Sequence, residues 1–288
     1  MSAGLPAPLP TTVAGLPGIH TLARGPRRQL TILLAHGVLC DHTFLEPWVA
    51  WFGAAGFATY AVSRRGRQGQ PPLHSDGVTF EDFLSDTRRA AGALPHPLLL
   101  VGHSLGGILA LKAAEQGACE AVALLAPVPP RGIIPLGRIR DLPPQLAQVG
   151  SLLSGGTFYP SFRQATAMFM GRIPQPQRRD LYQRYTPDSA RAVRTTYIPG
   201  VRVDPSRMRV PLLCLVGAED ATIPPKTVAR LAQRYGGHFH SLSGHAHELV
   251  AEPRWQEVAQ VIASWAEGIA PNLAAPEAGG QATARPRA

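Results

Sequence analysis

The sequence predicts an α/β protein built on a mostly parallel, doubly wound sheet, and three observations carry that prediction. Apolar runs at 30–35, 57–62, 98–101, 121–125 and 210–216 are continuous rather than alternating, as expected of strands buried on both faces. Segments with helical spacing of apolar residues separate most of these runs, which is the rhythm of βαβ units. A break in that rhythm from about 128 to 208, rich in Pro and Gly and without a strand-like run, is too long for a plain loop. It predicts a mostly helical cap inserted over the C-terminal edge of the sheet.

Taken in order, residues 1–26 are dominated by Pro, Gly and Ala and predict a flexible arm, with one weak strand near 19–23. The run at 30–35 leads into His36-Gly37-Val38. Thr43-x-x-Glu46 has the spacing of a capping box ahead of a helix whose inward face is Leu45, Trp48, Val49 and Phe52. After the 57–62 run comes Arg64-Arg65-Gly66-Arg67-Gln68-Gly69, a loop by composition. Thr79-x-x-Asp82 opens the next helix, with Phe80, Phe83 and Leu84 inward. Beyond the cap segment, a helix at 226–235 is stopped by Gly236-Gly237. A short strand follows at 239–242, then a final helix marked by Trp255, Val258, Ile262 and Trp265. The core is therefore assigned to 27–127 and 209–267, and 268–288 to a disordered tail.

Composition narrows the function classes. The net charge of +9 comes mostly from arginines scattered from Arg24 to Arg287, so no nucleic-acid footprint is expected. No apolar run approaches the roughly 20 residues that span a bilayer. The first ten residues lack a basic segment followed by an apolar one, which leads to the expectation of a cytoplasmic chain without stable membrane insertion. Cys40, Cys119 and Cys214 are widely spaced and form no metal or redox motif. Neither a metal site nor a cofactor is expected, and the sequence leaves the oligomeric state open.

The chemistry is concentrated at Gly102-His103-Ser104-Leu105-Gly106, a G-x-S-x-G between a predicted strand and a predicted helix. A serine on so sharp a turn exposes its hydroxyl at the tip, and glycines two positions either side permit close approach of strand and helix. The N–H of Leu105, at the helix start, points where an oxyanion would form. Such a serine needs a base, and the base an orienting acid. Loops at strand C-termini are where these belong, and Asp220, after the 210–216 strand, and His245, after the last strand, fit.

With these residues in place, the chain resembles the α/β-hydrolase superfamily over about 28–267. The match is carried by His36-Gly37, Gly-His-Ser-Leu-Gly-Gly at 102–107, Gly-x-x-Asp at 217–220 and Gly-His at 244–245. The resemblance implies Ser104 as nucleophile, His245 as base and Asp220 as orienting acid, with the N–H groups of Val38 and Leu105 as oxyanion hole. Glu219 and His247 are the rivals for acid and base. Asp220 is preferred for its distance from Gly217, and His245 for its Gly-His context. His36, Phe158, Met168 and Met170 are candidate substrate contacts.

The expected activity is hydrolysis of a small-to-medium apolar carboxylic ester, a small-molecule partner, through an acyl-enzyme on Ser104. The same three residues would also serve acyl transfer, perhydrolysis, lactone opening or C–C bond hydrolysis. A non-catalytic ligand-binding module is the third reading.

Overall fold

The computed structural model describes residues 5, 7–23, 28–67, 77–134 and 156–273. Their order is β1 (Leu9–Val13), β2 (Leu16–Thr21), β3 (Thr31–Ala35), α1 (Glu46–Ala54), β4 (Ala58–Val62), α2 (Phe80–Gly92), β5 (Leu98–His103), α3 (Leu105–Glu115) and β6 (Ala121–Leu125). The cap segment follows with β7 (Thr157–Phe158), α4 (Phe162–Phe169), α5 (Gln175–Gln183), β8 (Asp188–Ser189) and α6 (Ala190–Thr195). The chain re-enters the core with β9 (Leu212–Gly217), α7 (Pro225–Tyr235), β10 (His238–Leu242) and α8 (Trp255–Ile269).

Eight strands form one sheet in the order β1-β2-β4-β3-β5-β6-β9-β10. From β4 to β10 every pairing is parallel, whereas β1 and β2 pair antiparallel. Every residue of β3, β5, β6 and β9 is buried, which is why these runs are apolar throughout. The sheet grows one way from β3 to β4 and the other way from β3 through β5 to β10. With right-handed crossovers, α1 therefore falls on one face and α2 and α3 on the other. α1 packs with α8, and α2 with α3.

Local signals held at most boundaries. Thr79 and Asp82 form the capping box of α2, with Thr79 N–H donating to Asp82 Oδ2 at 2.8 Å and Asp82 N–H to Thr79 Oγ1 at 3.1 Å. Gly236 closes α7 in the left-handed conformation, φ 69°. The box expected at Thr43 and Glu46 is not formed. Asp41 Oδ1 accepts the Thr43 N–H at 2.8 Å and caps a short 3₁₀ turn, and α1 begins only at Glu46, with Pro47 in its first turn.

The arm assigned to 1–26 is corrected: residues 9–21 are a β-hairpin that extends the sheet beyond β4. Val13 and Leu16 are buried in the main core, and Gly18 crosses β4 so closely that a Cβ there would sit 2.3 Å from the Ala61 carbonyl oxygen. The described part of the cap carries the helices α4, α5 and α6 and the β7–β8 ladder, joined by turns and irregular segments. It has its own apolar cluster, in which Phe158, Phe169, Met170, Leu181, Tyr185 and Val193 meet Leu39, Cys40 and Phe44 from the core. The tail assigned to 268–288 is corrected over its first six residues: α8 continues to Ile269, a 3₁₀ turn follows at Ala270–Asn272 and Leu273 is buried in the main core, while 274–288 lie outside the described residues.

Candidate active site

Ser104 occupies the turn between β5 and α3 with φ 51° and ψ −113°, a region an L-residue enters only when its surroundings impose it. Three backbone bonds impose it here. Ser104 N–H donates to Leu125 O at 2.9 Å, and Ser104 O accepts from Gly107 N–H at 2.9 Å and Val128 N–H at 3.1 Å. The flanking glycines are required by contact. A Cβ on Gly102 would lie 2.2 Å from Gly106 O, and one on Gly106 would lie 2.2 Å from Ala35 O.

The histidine that meets this serine is His247. Its Nε2 lies 3.1 Å from Ser104 Oγ, and its Nδ1 lies 2.9 Å from Asp220 Oδ2. Asp220 is fixed in turn, its Oδ1 accepting the N–H groups of Thr222 and Ile223, both at 2.8 Å. All three side chains are buried. Burial pulls the His247 imidazole down, but the Asp220 carboxylate, through its charge and its hydrogen bond, together with the charges of Glu248 and Glu252, leaves it above the ordinary histidine value. Nδ1–H facing the carboxylate leaves Nε2 free to accept the serine proton.

His245 is not brought to Ser104, which corrects the sequence expectation. Its Nδ1 lies 2.8 Å from Glu252 Oε2, and the same carboxylate accepts the Ala246 N–H at 3.0 and 3.2 Å. The 244–246 backbone is pressed onto the end of β9: a Cβ on Gly217 would lie 2.2 Å from Ala246 O, and Glu219 N–H donates to His245 O at 3.0 Å. His245 thus pins the loop to its own acid, and His247, two residues on, reaches the serine. Gly-His context cannot separate two histidines in one loop, and the signal that could have done so was the acid at 252. Glu219 is exposed and paired with Arg172, so it is not the orienting acid.

Two further histidines brace the site. His103 donates from Nε2 to the His247 carbonyl at 2.9 Å, and burial together with the neighbouring His247 pushes its pKa down to about 3, so it is neutral. His36, a candidate substrate contact, is instead structural. Its Nδ1–H donates to Gly37 O at 2.9 Å and its Nε2 accepts the Arg64 N–H at 3.3 Å. The buried Arg64 guanidinium also donates to His36 O at 2.7 Å and Gly37 O at 3.0 Å, fixing the loop that carries Val38.

A narrow cleft of about 30 Å³, room for about one water molecule, opens onto Ser104 between Val38, Leu105 and the cap. Phe158 and Met168 line it, with Phe169, Val193, Tyr197 and Ile223 completing a largely apolar wall. Met170, the fourth candidate contact, is fully buried in the cap cluster and does not line the cleft. Among the described residues the backbone N–H groups of Val38 and Leu105 donate to no other protein group, and both residues border the cleft beside Ser104. No three His, Cys, Asp or Glu side chains among them are grouped to hold a metal ion, and no helix among them is long and apolar enough to cross a membrane.

A parallel sheet with a strained serine at a strand-to-helix turn, an acid after β9 and a histidine after β10 defines the class of nucleophile-elbow α/β proteins. The chain belongs to the alpha/beta hydrolase family, whose sequence profile matches residues 32–261. No curated protein sequence matches it. Among solved structures it is similar to a bacterial membrane phospholipase A (17% identity, 93% of this chain and 87% of that one, TM-score 0.69). It is also similar to a bromoperoxidase from Bacillus anthracis (16%, 91% and 100%, TM-score 0.67). A third is the 2-hydroxy-6-oxo-6-phenylhexa-2,4-dienoate hydrolase of a Rhodococcus species (16%, 89% and 98%, TM-score 0.64). At these identities the likeness is one of fold, and the fold alone selects no single chemistry.

Proposed function

We propose that this protein is a carboxylic ester hydrolase working through an acyl-enzyme on Ser104. One observation carries the reading: Ser104 Oγ lies 3.1 Å from an imidazole nitrogen whose other nitrogen is 2.9 Å from a buried carboxylate. In the proposed reaction Ser104 Oγ attacks the ester carbonyl carbon and its proton passes to His247 Nε2. The tetrahedral oxyanion is received by the N–H groups of Leu105 and Val38. Collapse breaks the bond to the alkoxy oxygen, which leaves as the alcohol with the proton from His247. Water then adds to the acyl carbon as its proton passes to His247 Nε2, and collapse breaks the bond to Ser104 Oγ, which takes that proton back as the acid leaves. Asp220 accepts the Nδ1–H hydrogen bond throughout and stabilises the imidazolium. The apolar wall of Phe158, Met168 and Val193 supports an acyl chain rather than a sugar or nucleotide as the group bound beside the serine.

The test is a panel of nitrophenyl esters from acetate to palmitate, run with Ser104→Ala. Turnover should peak within the series and fall by up to about 10⁶-fold in the variant, with its far-UV dichroism unchanged. Full activity in folded Ser104→Ala, or failure of a fluorophosphonate to label Ser104, ends the proposal.

A further inference from the structure

The loop after β4 carries a third arginine, Arg67, that the chemistry above does not use. Its side chain and that of Asp188, at β8 in the cap, are both wholly shielded from solvent and form an ion pair. Arg67 also donates to Thr186 Oγ1 at 2.6 Å, Thr186 O at 3.2 Å and Pro187 O at 2.7 Å, so it grips three successive cap residues.

Those cap residues grip Leu39. Asp188 Oδ2 accepts the Leu39 N–H at 3.1 Å, and Thr186 N–H donates to Leu39 O at 2.9 Å. Asp188 Oδ1 is occupied by the Ser189 N–H at 2.9 Å, which orients the carboxylate. Leu39 has φ 64°, a left-handed conformation that leucine does not adopt without support. The apolar neighbours of Leu39 would bury its side chain equally well without any charge. What the carboxylate adds is a fixed direction for the peptide joining Val38 to Leu39.

The peptide on the other side of Val38 is fixed through Gly37 O, by Arg64 and by His36. Val38 is therefore clamped from two sides, from the core through Arg64 and from the cap through Asp188. An oxyanion donor has to lie about 2.7–3.1 Å from the developing charge, and a misplacement of 1 Å can cost about 10²-fold. We infer that Asp188, held by Arg67, is a positioning residue that aims the Val38 N–H. The cap then belongs to the anion-stabilising apparatus as well as walling the cleft. The inference rests on the proposed role of Val38 in ester hydrolysis.

The experiment uses the full chain with Asp188→Ala and Asp188→Asn. It reads kcat and KM on nitrophenyl butyrate, the affinity of an alkyl trifluoromethyl ketone, and the rate of fluorophosphonate labelling of Ser104. In Asp188→Ala, kcat should fall about 10–100-fold while KM moves less than about twofold, and ketone affinity should weaken by the same factor as kcat. Asp188→Asn, whose amide oxygen still accepts from Leu39, should restore part of both.

Wild-type kcat and ketone affinity in folded Asp188→Ala would overturn the inference. So would a rise in KM with kcat unchanged, which would make Asp188 a wall of the cleft. If the alanine variant does not fold, Asp188→Ser, whose shorter side chain withdraws the acceptor from Leu39, takes its place, and wild-type kcat and ketone affinity there overturn it equally. Should the wild-type protein hydrolyse no ester, the proposed function fails on its own. The labelling rate then still decides, since phosphonylation places an oxygen in the same hole and should slow about 10–100-fold in Asp188→Ala.

Discussion

His245 and His247 offer the sharpest test, because each is paired with a buried carboxylate and only one of them reaches the serine. His247→Ala removes the group 3.1 Å from Ser104 Oγ and leaves the serine without a base. When the members act as a unit the loss reaches about 10⁶-fold, which at about 1.36 kcal/mol per decade is about 8 kcal/mol of transition-state stabilisation. His245→Ala instead strips the imidazole from Glu252, a carboxylate that is 1% exposed. Breaking a buried pair from one side costs about 3–5 kcal/mol of stability. The Ala246 N–H remains on Glu252, so the lower end of that range is expected. Nitrophenyl butyrate turnover should stay within about tenfold of wild type in His245→Ala, since only the loop's support is loosened. Urea denaturation should show a loss in both variants, because His247→Ala likewise strips an imidazole from a buried carboxylate, Asp220, so turnover is what tells the two histidines apart. A folded His245→Ala protein as inactive as His247→Ala, or an active His247→Ala, would refute this assignment.

Two further outcomes follow from the same geometry. The base must be neutral to accept the serine proton, and Asp220, Glu248 and Glu252 all favour its charged form, so kcat/KM should rise with pH through a midpoint above the ordinary histidine value. Burial pushes the Glu248 carboxyl itself up to about 7, so it carries its charge only over the upper part of that limb; Glu248→Gln should move the limb modestly to lower pH, and a pH–rate profile with an unmoved limb would contradict this. Gly106→Ala places a Cβ 2.2 Å from Ala35 O and 2.6 Å from His36 O, both backbone atoms that cannot swing aside. It should cost about 1–3 kcal/mol or more and slow fluorophosphonate labelling by wedging the elbow from the oxyanion loop; a variant as stable and reactive as wild type would show that the close approach is not needed.

Much of this molecule was legible because its central strands are buried on both faces and read as unbroken apolar runs. The elbow was equally plain, since steric necessity leaves glycine as the residue that fits at Gly102 and Gly106. Other parts were hidden for physical reasons. The hairpin at 9–21 carries Pro10 and Pro17 and faces solvent on its outer strand, so its composition imitates a loop. The choice of His247 over His245 depended on Glu252 claiming the nearer histidine: the acid stands in the sequence seven residues on, but only the fold decides which histidine it takes. His36 and Met170 sit within a few residues of groups that border the cleft, but their side chains turn into packing. The clasp of Arg67 and Asp188 joins residues 121 positions apart in the chain, and spacing gives no hint of such a pair.

The hairpin sets a limit on how far the chain can be shortened. Starting at the first parallel strand would leave the serine, histidine and aspartate untouched, since they sit at the opposite half of the sheet. Yet β4 would then become a bare rim with its hydrogen-bonding groups open to any passing strand, the situation that favours aggregation. What reads as a dispensable leader therefore serves as a selvedge, keeping the woven edge from fraying while the reaction goes on several strands away.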